Sequence, residues 1–209
     1  MWAMSLRAAI TLCLGFVLAG CGSTPLPPAS QQSVRTSPQM TPIPKGSLSL
    51  PDRAAFLQKD PRWGQQRLGT TSDSMASDGC LVTAASMALA NLGFQTDPSD
   101  LNARLTETQS FTPRGWLIWD GIRKVTEGRA KAVYHDEVSE SIIDSCMIAG
   151  QYPLVQFYLK NGRSHWAMIV KHDAKGYHMR DPLRPSNQPL IFPRSSDAFR
   201  AVRCIGLSE

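Results

Sequence analysis

The sequence lacks most motifs by which metal-, nucleotide- and nucleic-acid-binding proteins are recognised. No Cys-x-x-Cys or His-x-x-x-His spacing occurs among its five cysteines and four histidines, so a zinc site has little support. It contains no phosphate-binding loop and no cluster of basic residues. Three of the 22 basic residues and none of the 17 acidic ones precede residue 51, which leaves the remainder a net charge of +2. We therefore expect no metal, no cofactor and no nucleic-acid partner.

The apolar run near the N-terminus, Ala8 to Ala19, is too short for a permanent membrane span. It follows Arg7 and leads into Leu18-Ala19-Gly20-Cys21, which resembles the lipobox of bacterial lipoproteins. The resemblance implies a signal peptide over residues 1–20 and lipid attachment at Cys21. The alternative is a plain signal peptide that is cleaved elsewhere.

Residues 22–50 are rich in Ser, Thr, Pro and Gln and have scarcely an apolar residue. Such a segment cannot bury enough surface to offset its ordering entropy. We therefore predict a flexible, lipid-anchored linker over 21–50 and one domain over 51–209. Gly22, rather than aspartate, favours the outer membrane in the pattern of Gram-negative lipoproteins, with the domain facing the periplasm.

The stretch around Cys80 predicts a helix with a cysteine in its first turn. Ser77 or Asp78 is the expected N-cap and Gly93 the C-terminal cap. One apolar stripe follows at helical spacing and comprises Leu81, Ala85, Ala88, Leu89 and Leu92. The positive end of a helix stabilises a thiolate, and Gly79 leaves the sulfur approachable. Cys80 is therefore the candidate nucleophile; the alternative is an ordinary buried cysteine.

Further helices are predicted to begin near Thr96, Gly115 and Val138, and strands to lie at 154–159, 165–170 and 177–180. Helices followed by a meander of strands predict an α+β domain, with N-terminal helices packed on an antiparallel sheet. Ile118 is expected to face inward. Trp116 and Trp119 are expected to pack in the core, with a cleft wall as the alternative.

A cysteine nucleophile needs a base, and the base needs a group that orients it. His165 begins an apolar strand directly after a turn, whereas His172 and His178 are expected to be solvated and His135 lies in a polar connection. Asp181 ends the next strand. A register that pairs odd-numbered residues would place His165 and Asp181 on one face, but a plain tight hairpin would not. The alternative for His165 is a hydrogen-bonded core histidine.

Cys146 and Cys204 are left over once Cys80 is assigned to chemistry. In an oxidising compartment they form the possible disulfide, although sequence alone does not establish that they are close together.

Four motifs occur in order over residues 55–185: Gln58-x-Asp60-Pro61-x-Trp63, Asp78-Gly79-Cys80-x-x-Thr83-x-x-Ser86-Met87, His165-Trp166 and Tyr177-x-x-x-Asp181-Pro182. Together they resemble the papain-like cysteine peptidases of the bacteriocin-processing, double-glycine-leader type, and more closely the stand-alone bacterial domains similar to them. The resemblance implies a papain-like fold. It also implies that Cys80 attacks a carbonyl carbon, His165 transfers the proton and Asp181 orients the imidazole.

One position departs from that family: many relatives have a glutamine where this chain has Ser74. The Cys80 N–H and Gln58 are the remaining candidates for oxyanion donors. We therefore expect a lipid-anchored cysteine peptidase or amide hydrolase that acts on a peptide or protein substrate. A catalytically silent peptide-binding module of the same fold is the alternative. A peptidoglycan endopeptidase of another papain-like branch ranks last, because the residues around Cys80 do not match its pattern.

Overall fold

A computed structural model describes residues 46–192 and 196–209. The helices are α1 (Met75–Asp78), α2 (Cys80–Asn91), α3 (Pro98–Glu107), α4 (Asp120–Val125) and α5 (Glu140–Ile148), with a 3₁₀ turn at Ser196–Ala198. The strands are β1 (Leu48–Ser49), β2 (Ala130–Tyr134), β3 (Tyr152–Tyr158), β4 (Ser164–Asp173), β5 (Gly176–Arg180), β6 (Leu190–Phe192) and β7 (Ala201–Leu207). The predicted signal peptide and Cys21 lie outside the described residues, and no helix among those described is long and apolar enough to cross a membrane.

The strands form one antiparallel sheet in the order β2-β7-β3-β4-β5-β6, and β1 pairs with β4. Helix α2 packs on one face of this sheet and α5 packs on the other. Neighbouring residues of β3 therefore belong to different cores: Leu154 packs with α2 and Val155 packs with α5. The mixture of helices with an antiparallel sheet agrees with the predicted α+β class.

Strands β1, β2, β6 and β7 were not predicted. Leu48–Ser49, within the segment predicted as linker, pairs with His172 and Lys171 of β4. Strand β7 lies between β2 and β3 and is almost wholly buried, so it has no clear alternation of apolar and polar residues. Strand β6 has only three residues.

The N-terminal boundary of α2 differs from the prediction. Its N-cap is Gly79, and the side chain of Ser74 instead caps the preceding one-turn helix α1 in a reciprocal capping box with Ser77. At the other end Gly93 has a φ of 98°, and the N–H of Phe94 donates to the Leu89 carbonyl oxygen. This is a Schellman motif, so the predicted cap at Gly93 is confirmed.

Helix α2 is buried on nearly all sides rather than along one stripe. Nine of its twelve residues are buried, while Leu81 and Leu92 of the predicted stripe are only partly buried. The helix lies between the sheet on one side and α3 on the other. Its small residues Ala84, Ala85 and Ala88 allow these close approaches.

Helix α5 is fastened to the sheet by covalent chemistry. Cys146 of α5 and Cys204 of β7 form a disulfide, which confirms the predicted pairing. Around it pack Ile143, Met147 and Val155, all fully or nearly fully buried.

A β-bulge changes the register along the β4–β5 hairpin. Near the turn, Asp173 pairs with Gly176 and Lys171 with His178, so odd-numbered residues face even-numbered ones. Beyond the irregularity at Val170, Ile169 pairs with Met179, and odd-numbered residues face odd-numbered ones. A one-residue change of register exchanges the faces on which side chains lie. The bulge therefore decides which side chains of the two strands share a face.

Candidate active site

Cys80 is the first residue of α2 and is half-buried; it is the free cysteine among the described residues. The chain can turn from α1 into α2 here because residue 79 is glycine. A Cβ at Gly79 would lie 2.5 Å from the Met75 carbonyl oxygen. The glycine is therefore required by the backbone of α1, a physical reason different from the predicted one of access to the sulfur.

His165 lines the same cavity as Cys80 and hydrogen-bonds a carboxylate. Its Nε2–H donates to Asp181 Oδ1 over 2.6 Å, and the side chain is 2% exposed. Because Nε2 is occupied, Nδ1 is the nitrogen left for the thiol. Burial alone would lower the pKa of this imidazole, but hydrogen bonds with Asp181 and with Cys80 outweigh burial and raise the pKa of His165 to about 9.

Asp181 lies directly after β5 and is held by its own loop. Its Oδ1 also accepts a hydrogen bond of 2.9 Å from the Leu183 N–H, and Arg184 Nε lies 3.5 Å from Oδ2. Burial raises the pKa of this carboxyl group, but the hydrogen bonds from His165 and Leu183 outweigh it and hold the pKa below its usual range. The bulge at Val170 is what brings Asp181 and His165 to the same face, as the odd-numbered register requires.

Gln58 connects the two halves of the site. Its backbone N–H donates to the Pro182 carbonyl oxygen, next to Asp181, and its Nε2 donates to the Ala76 carbonyl oxygen over 2.9 Å. The side chain is 2% exposed and lines the same cavity as Cys80 and His165. One N–H of the Gln58 side-chain amide therefore donates to a carbonyl oxygen of α1, and the same nitrogen has a second N–H.

Two cavities meet at Cys80, and Asp78 and Ser164 line both. The polar cavity, of about 470 Å³, includes His165 and Gln58 in its wall. The aromatic cavity, of about 670 Å³, is walled by Trp116, Trp119, Tyr134 and Trp166. Because they share these wall residues, we treat the two cavities together as one cleft at Cys80.

The aromatic residues of this cleft partly overturn the prediction of core packing. Trp116 is 63% exposed, and Ile118, expected to face inward, is 41% exposed. Helix α4 begins only at Asp120, and the residues before it form a turn that is closed by a bridge between Phe111 and Leu117, beside the aromatic cavity. Trp119 is partly buried and meets Trp166 edge to face at 5.6 Å.

An ion pair at the cleft was missed by sequence reasoning. Arg163 Nη2 donates to Asp78 Oδ1 over 3.0 Å and to the Ser77 carbonyl oxygen over 2.8 Å. The only sequence signal is a basic residue that follows the Asn161-Gly162 turn and precedes His165 by two positions.

The expectation that His172 and His178 are solvated is wrong. His172 is buried, and its Nδ1 hydrogen-bonds Asp144 of α5, because the bulge turns it toward that helix. His178 lies 3.0 Å from Asp173 and is mostly buried.

Within residues 46–192 and 196–209, two groups of residues have ligand atoms close enough to hold a metal ion. They are His135 with Cys146 and Cys204, and Glu140 with Asp144 and His172. The sulfurs of the first group form the disulfide. Neither group lines the cavities at Cys80.

No family model matches the chain, and no curated protein matches it. Among solved structures it is similar to a Bacillus anthracis chain whose title describes it, provisionally, as a C39-like peptidase. The two chains are 14% identical with a TM-score of 0.49, over 76% of this chain and 96% of the other. The comparisons assign the chain to no family.

Proposed function

We propose that this protein is a cysteine peptidase of papain-like fold, with Cys80 as nucleophile, His165 as proton carrier and Asp181 as the group that orients the imidazole. The observation that carries the proposal is the buried imidazole of His165, hydrogen-bonded to a carboxylate through Nε2 and lining the same cavity as Cys80, the first residue of a helix. Acyl transfer requires a nucleophile, a base and a group that orients the base, and these are the roles proposed for the three residues.

In the proposed reaction the Cys80 thiolate attacks the carbonyl carbon of a peptide bond. A C–S bond forms and the π electrons of the carbonyl move to its oxygen. When the tetrahedral intermediate collapses, the C–N bond breaks and His165 gives its proton to the leaving amine. Water then attacks the thioester while His165 accepts a proton, the C–S bond breaks, and the carboxylate leaves.

The developing oxyanion needs donors that are already in position. The Cys80 N–H lies in the first turn of α2, where backbone N–H groups lack intrahelical partners. The second Nε2–H of Gln58 is the other proposed donor, since its first N–H is held by Ala76. Ser74 has no part in this role, because it caps α1.

The position of His165 supports one direction for a bound peptide. The leaving amine must receive the imidazole proton, so it lies in the polar cavity, which His165 lines. The residues that precede the cleaved bond then lie in the aromatic cavity, on the other side of Cys80. We therefore propose peptide substrates with a bulky apolar residue before the cleaved bond.

The test is hydrolysis of a fluorogenic peptide mixture by the full chain and by Cys80→Ala. We expect cleavage that the substitution abolishes, with an unchanged circular dichroism spectrum and melting temperature. Cys80→Ser keeps a hydroxyl of similar size and should also be inactive. Undiminished cleavage by either folded variant would overturn the proposal.

A second candidate is a peptide-binding module without turnover. It is favoured by Ser74, which serves as a helix cap at the position that relatives give to an oxyanion glutamine. It predicts that peptides bind in the cleft, that none is cleaved, and that Cys80 reacts no faster with iodoacetamide than a free cysteine does.

We also propose that the chain is a lipoprotein of the bacterial envelope, anchored through Cys21 and facing the periplasm. The lipobox-like residues 18–21 support this. Labelled palmitate should enter the wild-type chain and not Cys21→Ser, and the wild type should sediment with the outer membrane. Equal labelling of both would contradict it.

A further inference from the structure

The ion pair between Arg163 and Asp78 links the segment that carries Cys80 to the segment that carries His165. Asp78 ends α1 two residues before Cys80, and Arg163 lies two residues before His165. Arg163 contacts both the Asp78 carboxylate and the Ser77 carbonyl oxygen. Asp78 and Arg163 line the polar cavity together with Cys80.

A carboxylate at this place opposes the proposed chemistry. Asp78 and Cys80 line the same two cavities, and negative charge near a thiol disfavours the thiolate, which is the nucleophile. The guanidinium of Arg163 lies 3.0 Å from the carboxylate and cancels its charge. The other charged groups that line the two cavities at Cys80 are Lys59, Asp73, Arg114, His165 and Arg203.

We propose that Arg163 is a positioning residue for the nucleophile: it neutralises Asp78, which shares the cavity wall with Cys80, and so favours the reactive form of the Cys80 side chain. This inference rests on the proposed function, because it takes Cys80 and His165 to be the reacting pair. Both side chains of the ion pair are about half exposed, so the effect passes through a nearly aqueous medium. We expect loss of either charge to displace the midpoint of the pH–rate profile for Cys80 alkylation by about 0.3–0.6 pH unit. This corresponds to a change of about two- to fourfold in the alkylation rate where the rate rises with pH.

The experiment is the rate of iodoacetamide alkylation of Cys80 in the full chain from pH 4 to pH 9. Peptide mass spectrometry reads Cys80 separately from Cys13 and Cys21. Arg163→Ala should move the midpoint of the rate profile to higher pH, and Asp78→Asn should move it to lower pH. The double variant should return to the wild-type midpoint, and 1 M salt should shrink the two shifts of the single variants.

Two controls separate charge from structure. Arg163→Lys keeps the positive charge and should keep the wild-type rate profile. If Arg163→Ala does not fold, Arg163→Lys and Asp78→Asn together serve as the test. Arg123→Ala removes an equally exposed ion pair, with Asp120 on α4, and should leave the profile unchanged.

Shifts of the same sign in Arg163→Ala and Asp78→Asn would overturn the inference, since they would mean that the pair only holds the loop in place. Absence of a shift in either variant would overturn it as well. Failure of the proposed function gives a different result: the pH profile of His165→Ala would then be the same as that of the wild type.

Discussion

The imidazole of His165 is buried, yet its pKa is raised to about 9, because Asp181 and Cys80 both hydrogen-bond to it. In the unfolded chain a histidine has a pKa of about 6.5. The folded protein therefore holds a proton over a pH range in which the unfolded chain has lost it. This difference makes stability depend on pH.

At the residue scale we predict that the contribution of His165 to the free energy of unfolding falls as pH rises from about 6.5 to about 9. The stabilisation by protonated His165 is complete below the unfolded pKa and is lost through the folded one, and the loss is at most about 3 kcal/mol, since part of the raised pKa comes from Cys80. Because folding would release a proton from Cys80 over the same range, urea unfolding at several pH values is compared in Cys80→Ser and Cys80→Ser/His165→Ala, in which no Cys80 thiol titrates. The difference in stability between the two should shrink as pH rises; a difference that does not change with pH would contradict the prediction.

Asp181 sets the lower end of the pH range over which the site contributes most to stability. Its pKa is held below the usual value, so its contribution is present above the unfolded pKa and is lost as pH falls. Together the two groups place the greatest stability of the site in mildly acidic solution.

At the scale of elements, the disulfide fastens α5 to β7 across a separation of 58 residues. Closing a loop of that length restricts the unfolded chain by about 4 kcal/mol in the chain-entropy model. We predict that Cys146→Ala/Cys204→Ala unfolds at lower urea concentration, by roughly 2–5 kcal/mol in free energy. Reductant should lower the stability of the wild type similarly and leave that of the double variant unchanged.

We do not expect loss of the disulfide to change the reactivity of Cys80. Cys146 and Cys204 lie in the core between α5 and the sheet, whereas Cys80 opens α2 on the other face. Alkylation of Cys80 in the double variant should therefore match the wild type while it remains folded.

Periodicity predicted α2, α3, α5 and the central strands because each has either a cap or an uninterrupted run of its own period. It could not predict β2 and β7, whose pairing joins Ala130 to Leu207 across the length of the domain. The residues of the site were predicted from four short motifs in series. Their grouping was implied by the resemblance, but the register that puts His165 and Asp181 on one face could not be read from the residues, because the bulge at Val170 has no local signal.

At the scale of the whole molecule, helices cover both faces of the sheet and the cleft opens where α2 begins. The aromatic cavity on one side of Cys80 is formed by residues distant in sequence, among them Trp116, Tyr134 and Trp166. Trp116 is the most exposed of these and is free to contact a bound peptide.

We predict that Trp116→Ala lowers kcat/KM for substrates with a bulky apolar residue before the cleaved bond by about tenfold, and hardly changes it for substrates with alanine there. Losing one apolar contact of this size costs about 1–3 kcal/mol of transition-state binding. A peptide series compared on wild type and variant measures it. Tyr158→Ala, equally exposed but outside both cavities, is the control, and a uniform loss over all substrates would contradict the assignment.

The most direct test of the central claim is the pH dependence of Cys80 alkylation in the wild type and in His165→Ala. We expect rapid alkylation of the wild type already at pH 6, far below the ordinary thiol pKa near 8.5. His165→Ala should lose this low-pH reactivity while it stays folded. A wild-type thiol that reacts only above pH 8 and is indifferent to His165 would contradict a catalytic cysteine–histidine pair.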